Sequence, residues 1–198
     1  MYRYVKNMLD ILFAVLLLLL IWPLLLVLAL VIRIDSPGPA FFRQKRVGKA
    51  GHFFNIVKFR TMRTDAPRDM PTHLLSSADS HITRLGRFLR KSSLDELPQV
   101  FNILHGEMSF IGPRPALWNQ DDLIACRQAN GADTIRPGLT GWAQVNGRDE
   151  LPIMRKAELD GYYAANCSLS LDLRILIRTV FKVFRADGVI EGEKKPGP

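Results

Sequence analysis

From Ile11 to Ile32 the chain runs 22 residues without a charged side chain, too apolar all round to cover one side of a water-soluble helix. A cleaved signal peptide has an apolar region of about 7–15 residues followed by a small-residue cleavage site. No such site follows here, so the segment is expected to stay in the membrane. About 20 apolar residues cross a bilayer as one straight helix, but two features suggest another path. Pro23 sits mid-run, where proline removes a backbone hydrogen bond and crowds the preceding turn, bending or breaking the helix. Arg3 and Lys6 precede the run, and Arg33, Arg43, Lys45 and Arg46 follow it. Cytoplasmic flanks carry Lys and Arg, so both ends are expected on that face. A helix broken at Pro23 that enters one leaflet and returns fits this pattern, and so does a kinked spanning helix.

Beyond the apolar run the periodicity changes. Ser36-Pro37-Gly38-Pro39 is a turn-forming cluster. FFRQKRV and HFFNIVKFRTM, joined through Gly48-Lys49-Ala50-Gly51, are two β-prone runs around a turn and predict a hairpin. Residues 65–80 lack periodicity and read as a loop, of a length often used as a lid or binding element. His81–Ser92 predicts a helix whose apolar face is Ile82, Leu85, Phe88 and Leu89. Residues 116–130 and 151–165 predict further helices, with an irregular Gly-rich segment from Arg136 to Arg148 between them. Leu169–Arg185 predicts an amphipathic helix with Arg174, Arg178, Lys182 and Arg185 at helical spacing. Its cationic stripe beside Leu173, Leu176, Ile177, Val180, Phe181 and Phe184 suits a helix lying in a membrane interface, and equally a packed helix with a solvated basic face. The sum is a mixed α/β chain, mostly helical: a membrane helix over 1–35, one compact domain over 36–188 and a disordered tail over 189–198.

Composition narrows the partners. Lys and Arg number 27 against 19 Asp and Glu, a net charge of +8, which favours nucleic acid, anionic lipid or phosphorylated substrates. Hydrophobic residues make up 47%, enough for a core and too many for a disordered chain. Cys126 and Cys167 have no CxxC or Cys/His ligand spacing, which argues against zinc and for reduced structural thiols. His52, His73, His81 and His105 show no ligand spacing either. The absence of GxGxxG, Walker and GxSxG strings counts against the common dinucleotide, P-loop and serine-hydrolase chemistries.

The strongest chemical candidate is the adjacent pair Asp95-Glu96, between a basic helix and the Pro98-containing start of another. A helix N-terminus would keep such a carboxylate ionised and nucleophilic. Ser93-x-x-Glu96 also reads as a capping box, although Pro98 would then fall inside the new helix. Arg90, Arg114 in GPRP, and Arg136 and Arg148 in the Gly-rich segment sit beside turn residues. Arginine grips phosphate oxygens with a planar fork, and nearby glycines let backbone approach a ligand.

Together the ordered strings SPGPAFFRQKRVG, FNIVKFRTM, ITRLGRFLRKSSLDELPQVFNIL, GEMSFIGPRP and RPGLTGWAQVNGR resemble the bacterial sugar transferases known as monotopic phosphoglycosyl transferases, nearly end to end. The resemblance implies a bacterial inner-membrane enzyme with its active site on the cytoplasmic face. It implies a re-entrant helix broken at Pro23, although Trp22 stands where many relatives have a small polar residue. It implies a catalytic dyad, Asp95 and Glu96, with Asp95 attacking the sugar-bearing phosphate of a UDP-sugar, releasing UMP, and undecaprenyl phosphate then taking the phosphosugar. Mg2+ is implied at Asp95, Lys58, Arg90 and Arg114 as phosphate-binding residues, and Arg136, Gln144, Asn146 and Arg148 near the nucleotide or sugar. No nucleic-acid partner is implied, and homodimer formation is left open. Two other classes stay in view: a non-catalytic membrane-anchored basic module, and a glycosyltransferase releasing UDP instead of UMP.

Overall fold

The computed structural model describes residues 2–67, 78–147 and 151–185. Helix α1 (Tyr2–Asp35) is followed by β1 (Phe41–Val47), β2 (Phe53–Phe59), α2 (Ala78–His81), α3 (Arg84–Lys91), a 3-10 turn (Leu94–Gln99) and α4 (Val100–Leu104). Then come β3 (Ser109–Ile111), β4 (Ala116–Leu117), α5 (Asp121–Ala129), β5 (Gly138–Thr140), α6 (Trp142–Val145), α7 (Ile153–Asn166) and α8 (Leu169–Arg185). The mixed, mostly helical character matches the sequence reading. The tail over 189–198 and most of the expected loop at 65–80 lie outside the described residues.

The break expected at Pro23 is absent: α1 is one helix with Pro23 inside it. Packing bridges the proline. Ile21 before it, and Leu25, Leu28 and Ile32 after it, share one cluster with Phe59 and Leu89. Both halves are therefore held against the same surface, and the missing Pro23 N–H leaves a single gap in the ladder. Ala14 joins a second cluster with Phe54, Ile56, Val100 and Ile103. These positions recur every three or four residues and form one stripe. The rest of the helix surface stays apolar and exposed, including Leu16, Leu19, Leu20, Trp22, Leu26 and Leu30.

Both ends of α1 attach to the domain through polar groups. At the start, Tyr2 Oη donates to Asp172 Oδ2 at 2.6 Å, Lys6 Nζ lies 3.0 Å from the same oxygen, and Arg3 donates to the Ala164 carbonyl. Tyr163 Oη donates to Asp172 Oδ1 at 2.7 Å. At the other end, the buried Arg60 guanidinium donates to the carbonyls of Ser36, Pro37 and Pro39 at 2.7–2.8 Å.

The predicted hairpin forms. Strands β1 and β2 pair antiparallel from Phe41↔Phe59 to Val47↔Phe53, and β4 adds to the other side of β1. The free edge of β2 is closed by Asn102 on α4, whose side chain accepts from Val57 N and donates to the Asn55 carbonyl. Strands β3 and β5 pair in parallel, with glycines where the two chains touch. A Cβ at Gly112 would lie 2.4 Å from the Arg136 carbonyl, and one at Gly138 would lie 2.1 Å from Gly112 N. These glycines admit neighbouring backbone, where the sequence suggested a ligand.

Other expectations shift in detail. The helix predicted from His81 starts at Arg84, and Phe88 is exposed while Ile82 and Leu89 are buried. The helix predicted from 116 starts at Asp121, because β4 takes Ala116–Leu117 into the sheet. The segment expected to be irregular contains β5 and α6. Helix α8 has the predicted bounds, and its packed residues are Leu171, Asp172 and Ile175, whereas Leu173, Leu176, Ile177, Val180 and Phe181 face outward. Cys126 and Cys167 are free thiols.

Candidate active site

Helix α3 ends in Arg90 and Lys91, and Ser93 turns the chain through a left-handed conformation (φ 57°) into the 3-10 turn that carries Asp95 and Glu96. This is an uncommon conformation for a non-glycine residue and orients the turn abruptly. The capping-box reading fails here, since Ser93 makes no side-chain cap and the Glu96 carboxylate is used elsewhere. Pro98 closes the 3-10 turn, and α4 starts at Val100. Leu94 and Leu97 anchor the turn on the apolar cluster shared with the C-terminal half of α1. The two carboxylates are thereby placed beside the membrane-type helix.

Glu96 Oε1 is gripped by two cations. Lys58 Nζ, from the inward face of β2, lies at 2.7 Å, and Arg114 Nη2, from the GPRP turn after β3, lies at 2.9 Å. Burial pushes the Glu96 carboxyl up, but Arg114 and Lys58 outweigh it and hold the group well below the usual carboxylate range. Burial pulls the Lys58 ammonium down, with Glu96 opposing. Asp95 receives neither of those two bonds. Its carboxyl is pushed up to about 6 by burial and by the Glu96 charge, against the pull of Lys58, Arg90 and Arg114. The helix-terminus stabilisation expected for Asp95 is thus outweighed by desolvation, and the firmly ionised member of the pair is Glu96.

Four of the predicted residues, Asp95, Glu96, Lys58 and Arg114, meet here, and Arg90 acts on Asp95 through its charge. Arg136, Gln144 and Asn146 do not join them through any hydrogen bond or ion pair among the described residues. Arg136 lies against Gly106 with Nη1 buried and unpaired. Gln144 donates to the Leu139 carbonyl, and Asn146 bridges the Trp142 carbonyl and Arg178 of α8. Arg148 lies outside the described residues. The sequence reading missed Arg127 and Asp160, a buried pair behind the GPRP turn. They stand 33 positions apart on different helices, a separation that leaves no local pattern.

No group of three or more His, Cys, Asp or Glu side chains gathers among the described residues, so a metal cage built from protein alone is absent there. Magnesium usually takes only one or two carboxylates and completes its shell with substrate phosphates and water. Asp95 and Glu96 fit that donor set. With Lys58, Arg90 and Arg114 around them, the site suits a diphosphate.

A match to the bacterial sugar transferase family covers residues 1–186. A UDP-glucose:undecaprenyl-phosphate glucose-1-phosphate transferase of Xanthomonas campestris pv. campestris is 43% identical over 185 residues, 90% of this chain and 38% of that protein. An uncharacterized sugar transferase, EpsL, of Bacillus subtilis (strain 168) is 41% identical over 93% of this chain and 89% of its own length. A UDP-N-acetylgalactosamine-undecaprenyl-phosphate N-acetylgalactosaminephosphotransferase of Aeromonas hydrophila is 39% identical over 94% of this chain and 45% of its own length. The chain thus spans less than half of two of these relatives and most of the third. Coverage from the apolar helix to the end of α8, with the half-buried carboxylate pair inside the matched region, establishes that the chain belongs to the bacterial sugar transferase family.

Proposed function

We propose that the protein transfers a sugar 1-phosphate from a UDP-sugar to undecaprenyl phosphate, releasing UMP, as the first membrane step of glycan assembly. The observation that carries this reading is the unequal carboxylate pair. Glu96 is locked by Lys58 and Arg114, while Asp95 next to it is half-buried with a raised pKa. A carboxylate of higher pKa is the better nucleophile, and a value of about 6 leaves it ionised at neutral pH. In the first step an Asp95 oxygen attacks the β-phosphorus, the bond to the bridging oxygen breaks, and UMP leaves with the electron pair. In the second, a phosphate oxygen of undecaprenyl phosphate attacks the same phosphorus, the aspartyl bond breaks, and the carboxylate returns. Lys58, Arg90 and Arg114 supply positive charge that steadies the phosphoryl oxygens. Asp95, with Glu96 beside it, would hold Mg2+, which neutralises diphosphate charge when bound.

The tethering of α1 supports a membrane arrangement as well. Its two ends are tied to one polar body, so both are expected on the same side of the bilayer, with the exposed apolar surface in one leaflet. This supports a helix held in one leaflet in place of one that spans, on the cytoplasmic side of the inner membrane by its flanking charges. The outward apolar face of α8, bordered by Arg174 and Arg178, suits the same interface. A non-catalytic basic module would leave the desolvated Asp95 without a role.

Incubating the enzyme with Mg2+, undecaprenyl phosphate and a panel of UDP-sugars should release UMP. Asp95→Asn should abolish both release and the trapped phosphosugar adduct. An adduct that survives in this variant removes Asp95 as nucleophile, and UDP as the released nucleotide replaces the reaction type.

A further inference from the structure

Backbone carbonyls around Arg114 are taken one after another. Gly138 N donates to the Pro113 carbonyl at 2.8 Å. Arg127 Nη1, from α5, donates to the Arg114 carbonyl at 2.9 Å. Arg46 Nη1, from β1, donates to the Pro115 carbonyl at 2.9 Å. Each guanidinium is braced in turn. Arg127 places Nε and Nη2 at 3.0 and 2.6 Å from Asp160 Oδ2 on α7, and Asp160 is only 1% exposed. Arg46 Nη2 donates to Gln44 Oε1 at 2.5 Å.

Proline on both sides of Arg114 restricts the backbone further. Residue 114 therefore has little freedom, and its side chain leaves this fixed point to meet Glu96. A buried ion pair such as Arg127–Asp160 adds little net stability compared with apolar packing. What it does supply here is direction, because a rigid planar fork can hold a carboxylate and a carbonyl at once.

We propose that Arg127, braced by Asp160, and Arg46, braced by Gln44, are positioning residues that fix the Arg114 backbone so that its guanidinium engages Glu96. The inference rests on reading Asp95–Glu96 as the reacting centre, and none of these four residues needs to touch substrate.

The test compares Arg127→Lys, which keeps a cation for Asp160 but loses the fork, with Arg46→Lys as a second mild variant, both in the full-length enzyme. Each should lower kcat about tenfold while KM for the UDP-sugar changes by less than about twofold. Added to Arg114→Lys, either should change kcat by less than about twofold, since the route through Arg114 is already lost. A readout free of turnover accompanies this: the 15N-labelled Arg114 guanidinium signals, assigned by their loss in Arg114→Lys. They should show restrained rotation in the parent and averaging in both variants. Unchanged signals, or a kcat loss that multiplies with that of Arg114→Lys, overturn the inference. Normal UMP release by Asp95→Asn would remove the proposed reaction centre, and the guanidinium signals would still decide whether the brackets hold Arg114.

Discussion

Asp95 and Glu96 are covalent neighbours whose electrostatic conditions differ in sign. Their adjacency was visible in the sequence, and so was the basic character around them. Which carboxylate would be locked was not visible, because that depends on Lys58 from one strand and Arg114 from a distant turn converging on Glu96. The difference has a consequence for stability. The folded pKa of Asp95 is raised from 3.8 to about 6, so through that window the native state holds a proton that the unfolded chain has lost. Raising the pH across it lowers stability. Glu96 acts oppositely, with a contribution present above the usual carboxylate range and lost as pH falls through its depressed folded value. Metal-free Asp95→Asn should therefore be more stable than the parent at neutral pH and above, by up to about 3 kcal/mol. The gap should close as pH falls toward about 4. Denaturant midpoints across this range check it, and a gap that widens on acidification contradicts it.

At the level of elements, period-2 and period-3.6 patterns correctly indicated the hairpin, α7 and α8, since those elements bury one face and expose another. The patterns were silent on β4, β5 and the 3-10 turn, which are too short to show a period and exist only through tertiary pairing. The glycines of GPRP and RPGLTG illustrate the same limit. They stood out as punctuation, but their purpose is the contact between two backbones. Gly112→Ala should accordingly cost about 3 kcal/mol, since its Cβ meets a carbonyl oxygen that cannot rotate away. Gly131→Ala, with open space but φ of +75°, should cost only about 1 kcal/mol. Thermal unfolding of the two variants separates the causes, and equal losses would show that the β3–β5 crossing tolerates a methyl group.

Across the whole molecule, apolar surface concentrates on two elements distant in sequence, α1 and α8. The first was obvious from composition. The second was ambiguous, because an amphipathic helix can turn either face inward. The fold resolves this by burying Leu171, Asp172 and Ile175 and leaving Ile177 and Phe181 outside. A spin label at Ile177→Cys should sit about 5–10 Å into the headgroup–acyl boundary when the enzyme is in vesicles. Oxygen and nickel-complex accessibilities measure that depth, and a fully aqueous signal would detach α8 from the membrane surface.

The clasp on the start of α1 joins residues far apart along the chain: Tyr2 binds Asp172, 170 positions later. On the ribosome, then, the greasy helix emerges well before its tether. Until α7 and α8 are made, the clasp on Ala164 and Asp172 cannot fasten the start of that helix, and the charges of Arg3 and Lys6 are what favour its staying on the side of synthesis. Closing of this clasp is thus a late event in the making of the chain, completed when α7 and α8 fold against the start of the helix.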